Sequence, residues 1–128
     1  MALEIPKTAY SGRIREIKLG KSKKAVTVGG ETCYPFYLFE GEIPHLPKIA
    51  MEVWDMPPRE WAEAALEPFA EVTDDPIAWA RKCIDDYGAE MIALQLVSTD
   101  PGGLDRGADE AAEVVKKVTD TIDVPLII

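Results

Sequence analysis

The stretch "DDPIAWARKCIDDYGAEMIALQLV", residues 74–97, holds one complete passage from helix to strand and decides the fold class. Asp75 can cap a helix, because its side-chain oxygen accepts from a free N–H of the first turn. Pro76 suits the first helical position, where a missing N–H leaves no bond unmade. Ile77, Ala80, Cys83, Ile84 and Tyr87 recur at helical spacing and predict one buried stripe. Gly88 can end the helix in the left-handed conformation. "EMIALQLV" then runs apolar almost without alternation, the pattern of a strand covered on both faces in a parallel sheet.

Working outward, "KIAMEVW" (48–54) is a second strand of this kind and "VPLII" (124–128) a third. Between the first two, "MPPREWAEAALEPF" (56–69) reads as a short helix with Pro57 or Pro58 in its first turn. Its apolar positions are Trp61, Ala62, Ala65, Leu66 and Phe69. "STDPGGLDRG" (98–107) is a turn-rich loop before a third helix whose common face is Ala111, Val114, Val115, Val118 and Ile122. Near the start, "GRIREIKLG" and "AVTVGG" flank the basic turn "KSKK" and predict a β-hairpin closed by Gly20, Gly29 and Gly30. Residues 31–47 contain three prolines and show no period. They read as an ordered wrap whose aromatics, Tyr34, Phe36, Tyr37 and Phe39, need burial. The expected class is α/β: a hairpin and wrap over residues 1–47, then (βα)2β over 48–128, with βαβ units around a parallel sheet. Three such strands with two crossover helices leave sheet edges and one strand face uncovered. The expectation is a sequence that is incomplete, or a partner that supplies the rest.

Composition narrows the function. The 128 residues suffice for one domain with a real core. Acidic residues outnumber basic ones 23 to 14, so the surface repels phosphate backbones and anionic membranes. No apolar run nears the ~20 residues that span a bilayer, and no leader pattern opens the chain, so it reads as cytosolic. Cys33 and Cys83 form no CxxC pair, so the chain alone cannot ligate an iron–sulfur cluster or zinc. Both read as reduced packing thiols. The single histidine, His45, is a loop residue with no metal-ligand cluster near it. The glycine pairs match neither GxGxxG nor a P-loop, and no self-contained catalytic triad is legible.

In parallel α/β folds ligands collect at the carboxyl ends of strands. Those ends carry Glu52, Trp54 and Asp55 after the first strand and Gln95, Ser98, Thr99 and Asp100 after the second. The loops that follow are long, whereas "YGAE" and "DTID" at the other end are short, which marks one face as elaborated for binding. Glu52 and Gln95 interrupt strands expected to be buried, where a polar group is costly unless hydrogen-bonded. Two readings follow for these two residues: anchoring of a loop, or contact with a ligand.

"FEGE" (39–42), "MEVWD" (51–55) and "LQLVSTDP" (94–101), with "AEVVKKV" (112–118) and "VPLII", carry a resemblance. From about Gly12 to Ile128 the chain resembles the delta subunit of acetyl-CoA decarbonylase/synthase, the small subunit of the corrinoid iron–sulfur protein. That resemblance implies a TIM barrel, of which this chain holds the amino-terminal part. It implies a corrinoid (cobamide) shared with a larger gamma subunit, and a [4Fe–4S] cluster held by that partner only. It further implies passage of a methyl group from a tetrahydropterin or tetrahydrofolate to the nickel site of acetyl-CoA synthase, with that enzyme and a methyltransferase component as further partners. On this reading Glu52, Asp55, Gln95, Ser98, Thr99 and Asp100 face the corrinoid and the large subunit; none is catalytic and none binds metal. A docking subunit without cofactor contact is the alternative. A flavodoxin-like receiver domain fits the length and the strand-end Asp55, but needs five strands where three are legible.

Overall fold

A computed structural model describes residues 4, 11–21, 23–34 and 40–128. Two small sheets organise them. The hairpin forms as expected: β1 (Ile17–Leu19) pairs antiparallel with β2 (Val26–Val28), in the register Ile17 to Val28 and Leu19 to Val26. Bonds from Ile14 N to Glu31 O (2.8 Å) and from Gly30 N to Ile14 O (3.0 Å) lengthen this ribbon. Gly29 adopts φ +89° with the Arg15 carbonyl oxygen against its α-carbon, so no side chain fits there.

The second sheet is parallel and holds β3 (Ala50–Trp54), β4 (Met91–Gln95) and β5 (Leu126–Ile127) in that spatial order. Val53 stands beside Leu94, and Ile92 beside Leu126. A flavodoxin-like sheet would put the first strand between the second and third. Here the second lies in the middle, so that topology is not matched.

Helix α2 (Pro76–Asp85) joins β3 to β4 after a loop, and α3 (Ala108–Thr121) joins β4 to β5. Asp75 caps α2 as expected: Ile77 N donates to its Oδ1 at 2.9 Å, with Pro76 at the first helical position. Gly88, at φ +67°, ends the passage. The short helix α1 (Glu63–Leu66) runs into a 3-10 turn at Glu67–Phe69. Its start differs from expectation. Pro57 and Pro58 lie ahead of the helix, before a turn at Arg59 and Glu60, and Ala62 is the cap residue without a side-chain bond. With no capping oxygen at hand, the helix begins only where "EAAL" offers strong helix formers.

The core lies on one side of the parallel sheet. Val53, Ile92 and Leu94 of the strands pack with Trp79, Ala80 and Cys83 of α2 and Val118 of α3. Trp79 also meets Trp61 edge-on at 5.8 Å between ring centroids and Phe69 at 5.9 Å, which fastens the α1 segment to α2. Of the expected α2 stripe, Ala80 and Cys83 are buried, Ile77 and Ile84 half-buried, and Tyr87 lies at the exposed rim.

The other face of the sheet is largely open, contrary to the reading of doubly covered strands. On it only Met91, at the amino end, is buried, and Trp54, at the carboxyl end, meets Trp61 at 5.1 Å between ring centroids. No helix among the described residues packs there, so Glu52, Gln95 and Ile127 are exposed. The expected burial of the wrap is corrected at Tyr34, which is 74% exposed. Phe36, Tyr37 and Phe39 lie outside the described residues.

The hairpin packs at the amino ends of the parallel strands. A Cβ on Gly20 would come within 2.9 Å of Pro125 Cγ, so only glycine allows this approach beside β5. Lys24 pairs with Asp123 at 2.9 Å, and Lys48 pairs with Glu90 at 2.7 Å. His45 is the loop residue expected from the sequence, 2.7 Å from Glu16. That end is occupied, which leaves the carboxyl ends as the accessible ones.

Candidate functional site at the carboxyl ends of the parallel strands

Asp55 follows β3 directly, and its backbone N–H donates to Gln95 O at 3.1 Å, carrying the ladder one residue past the strand. Its side chain therefore turns towards the loop after β4. Ser98 N donates to Asp55 Oδ1 at 3.0 Å, and Ser98 Oγ donates to Oδ2. Asp55 is 6% and Ser98 1% exposed, so each satisfies the other inside the protein. Buried polar groups hold such positions only when paired in this way. The pair bolts two strand-end loops into one piece.

The loop beyond is built on this bolt. The 3-10 turn Val97–Thr99 places Thr99 half-buried, with its hydroxyl donating to Leu96 O at 2.8 Å. Asp100 Oδ1 accepts from Gly102 N at 2.8 Å, while its backbone oxygen accepts from Gly103 N (2.9 Å) and Asp105 N (3.1 Å). Arg106 N returns to Ser98 O at 2.9 Å and closes the loop. Asp100 is exposed, and its Oδ2 has no partner among the described residues.

Four of the six residues singled out from the sequence thus come together: Asp55, Ser98, Thr99 and Asp100. Glu52 and Gln95 do not join them. They are corrected from buried interruptions to exposed side chains, because they project from the open face, where nothing described covers them. Glu52 Oε1 accepts from Trp54 Nε1 two residues along the same face. Together with Ile127 and Ile128, Glu52 and Gln95 line an open concavity of about 440 Å³.

Arg106 was not singled out from the sequence. It borders a cleft of about 340 Å³ with Asp55, Asp74, Asp75 and Lys117, at the start of α2. Its signal was its place in the loop that returns to α3. Among the described residues no group of three or more His, Cys, Asp and Glu side chains is placed to hold a metal ion. Cys83 is fully buried in the core, and burial pushes its thiol up to about 11. His45 is bonded to Glu16 on the hairpin, away from the strand-end loops.

A family model described as CO dehydrogenase/acetyl-CoA synthase delta subunit matches residues 16–128. The chain belongs to that delta-subunit family. Among curated proteins it is 40% identical to the acetyl-CoA decarbonylase/synthase complex subunit delta of Archaeoglobus fulgidus, over 95% of this chain and 28% of that protein. It is 36% identical to the subunit of the same name from Methanothermobacter thermautotrophicus (96% of this chain, 31% of the relative). With the Methanocaldococcus jannaschii subunit it shares 34% (98% and 32%). This delta-family chain spans about three-tenths of the length of the curated relatives it matches. No helix among its described residues is long and apolar enough to cross a membrane.

Proposed function

We propose that the chain forms the first three strands of a (βα)8 barrel which, within the acetyl-CoA decarbonylase/synthase complex, presents Thr99 and Asp100 to a corrinoid held mainly by a larger partner subunit. Three parallel strands in sequence order with both crossover helices packed on one face support an arc of such a barrel. The remaining length of the relatives is available to continue it and to cover the open face.

The residues present suit the periphery of a corrinoid and not its metal. Asp55 and Ser98 have spent their hydrogen bonds on each other. Asp100 keeps a free carboxylate oxygen, and Thr99 keeps acceptor capacity on its hydroxyl, both suited to peripheral amide donors. What the cofactor supplies when bound is carriage of a methyl group from a methylated tetrahydropterin or tetrahydrofolate to the nickel site of acetyl-CoA synthase. This chain's own residues hold and orient. A four-thiolate cluster needs four cysteines, so the two here support its assignment to the partner.

The observation that supports the reading is the Asp55–Ser98 bolt, which ties two loops together at the carboxyl ends of a parallel sheet, where ligands collect in such folds. The same bolt favours a second role for those two residues. They position the loop and touch no cofactor.

The test is made in the assembled complex with full-length protein. Asp100→Ala and Thr99→Ala together should lower bound corrinoid, read by its visible absorbance, and slow methyl transfer about tenfold, with the subunits still associated. A charge-assisted hydrogen bond is worth roughly 1.5–3 kcal/mol, which sets that scale. Wild-type corrinoid content and transfer rate would leave the docking role alone standing.

A further inference from the structure

Charge is unevenly distributed along the chain. Residues 1–50 carry eight Lys and Arg against five Asp and Glu, whereas residues 51–128 carry six against eighteen. Five of those cations, Arg13, Arg15, Lys18, Lys21 and Lys23, are exposed on the hairpin and its turn. None of the five makes an ion pair or a side-chain hydrogen bond among the described residues. This is not the default for a chain with such an excess of acid, since the acidic helices could have neutralised them. The ribbon is instead anchored by other groups: Lys24 on Asp123, Glu16 on His45, and Gly20 against Pro125.

Two large apolar side chains lie among the free cations, Ile14 at 59% exposure and Ile17 at 50%. A single exposed isoleucine is ordinary. Two within one basic ribbon reproduce the make-up of a recognition patch, apolar anchors within a charged rim. We propose that this ribbon docks on an acidic surface of a different protein subunit of the assembly. The proposal leans on membership of an assembly but not on the corrinoid contact, which lies at the opposite end of the strands.

Electrostatics favours that occupant over the others. A net charge of −9 repels nucleic acid and anionic lipid at long range, and Glu16 and Glu31 sit within the ribbon itself. A polyanion extends over many phosphates and meets the acidic remainder of the chain as well as the ribbon. A local acidic patch on a folded subunit need only match the ribbon, since fields are screened beyond about 10 Å at 0.1 M salt. A second copy could offer its acidic helices to this hairpin. That contact is head-to-tail, and such contacts propagate into open filaments unless the rotation closes.

The test uses the intact complex containing the full-length protein. A zero-length carbodiimide reagent joins lysine amines to carboxylates already in contact, and cross-linked peptides are read by mass spectrometry. Lys18, Lys21 and Lys23 should join to Asp or Glu of another subunit. Replacing Arg13, Arg15, Lys18, Lys21 and Lys23 by Glu should weaken assembly on the order of tenfold at 0.1 M salt, and far less at 1 M, where screening is nearly complete. The Gln-substituted set, which cannot introduce repulsion, should fall between. Unchanged thermal melting of both variants separates lost docking from lost folding. Cross-links confined to the same chain or to a second copy would overturn the proposal, as would salt-independent assembly by the Glu variant. Hairpin-dependent binding of phosphatidylglycerol vesicles or poly(U), with assembly unaffected, would overturn it in favour of a polyanion. Loss of corrinoid in the Asp100 variant without loss of assembly bears on the other reading alone.

Discussion

The two faces of the parallel sheet are made by the same strands, yet one is a core and the other is open. Val53 and Ile92 are fully buried and Leu94 nearly so, under α2 and α3. One residue away along the same strands, Glu52 and Gln95 are exposed. Strand geometry accounts for the alternation, since successive side chains point to opposite faces. It does not account for the composition of the open face. Ala50, Trp54, Ala93 and Ile127 also belong to it, with Met91 buried at its amino end, and a face built only to meet water would be more polar. A mixed apolar face with a few polar groups near the carboxyl ends suits the inner wall of a barrel. The inner wall is packed low down and carries ligand-facing groups at the top.

The largest effect separating the faces belongs to Trp79. It fills the centre of the covered side at 1% exposure and touches Trp61 and Phe69. Trp79→Ala in the full-length protein should lose about 3–5 kcal/mol in chemical denaturation. A loss below about 1 kcal/mol would deny that this side is the structural core.

Next comes the bolt between the strand-end loops. Asp55→Ala strands the Ser98 N–H and hydroxyl in a buried site, which costs roughly 1–3 kcal/mol. Asp55→Asn keeps an acceptor and should lose less. Equal stability of all three proteins would mean that the bolt does not hold the loop.

The smallest effect is one of pH. Burial raises the Cys83 thiol to about 11 from an ordinary 9.0, so the folded state favours its protonated form. That contribution is whole below pH ~9 and is lost as pH rises towards ~11. At pH 8 an alkylating reagent should modify half-exposed Cys33 and spare Cys83 in the folded protein. Equal labelling of both would show that the covered face opens readily.

The sequence made much of this comparison legible, and its failures are physical ones. The α2–β4 passage could be read because Asp75, Pro76 and Gly88 are local signals, each acting within a turn of its own position. The carboxyl-end cluster could be read because parallel topology fixes where strands end. The open face could not be assigned strand by strand. A continuous apolar run looks the same whether or not a second layer covers it, so the pattern alone implies burial for Glu52 and Gln95. The start of α1 lies later than the sequence suggests because proline suits a turn ahead of a helix as well as its first turn. Trp79 falls outside the stripe of Ile77, Ala80, Cys83, Ile84 and Tyr87, one residue from Ala80, so helical spacing alone does not mark it as core. The pairing of Asp55 with Ser98, across 43 residues, has no signature in spacing. It follows from the parallel register that sets Trp54 beside Gln95.

A thiol placed on the open face distinguishes an inner wall from a solvent-facing surface. Gln95→Cys in a Cys33→Ser background leaves one accessible cysteine within these 128 residues, since Cys83 is buried, and labelling at position 95 itself is followed by peptide mass spectrometry. Its rate of alkylation would be measured in the 128-residue chain and in the full-length protein. Fast labelling is expected in the 128-residue chain, and strong protection when it is continued to the length of its relatives, if further strands cover the face as proposed. Equally fast labelling in both would contradict the inner-wall reading and leave this sheet open to solvent.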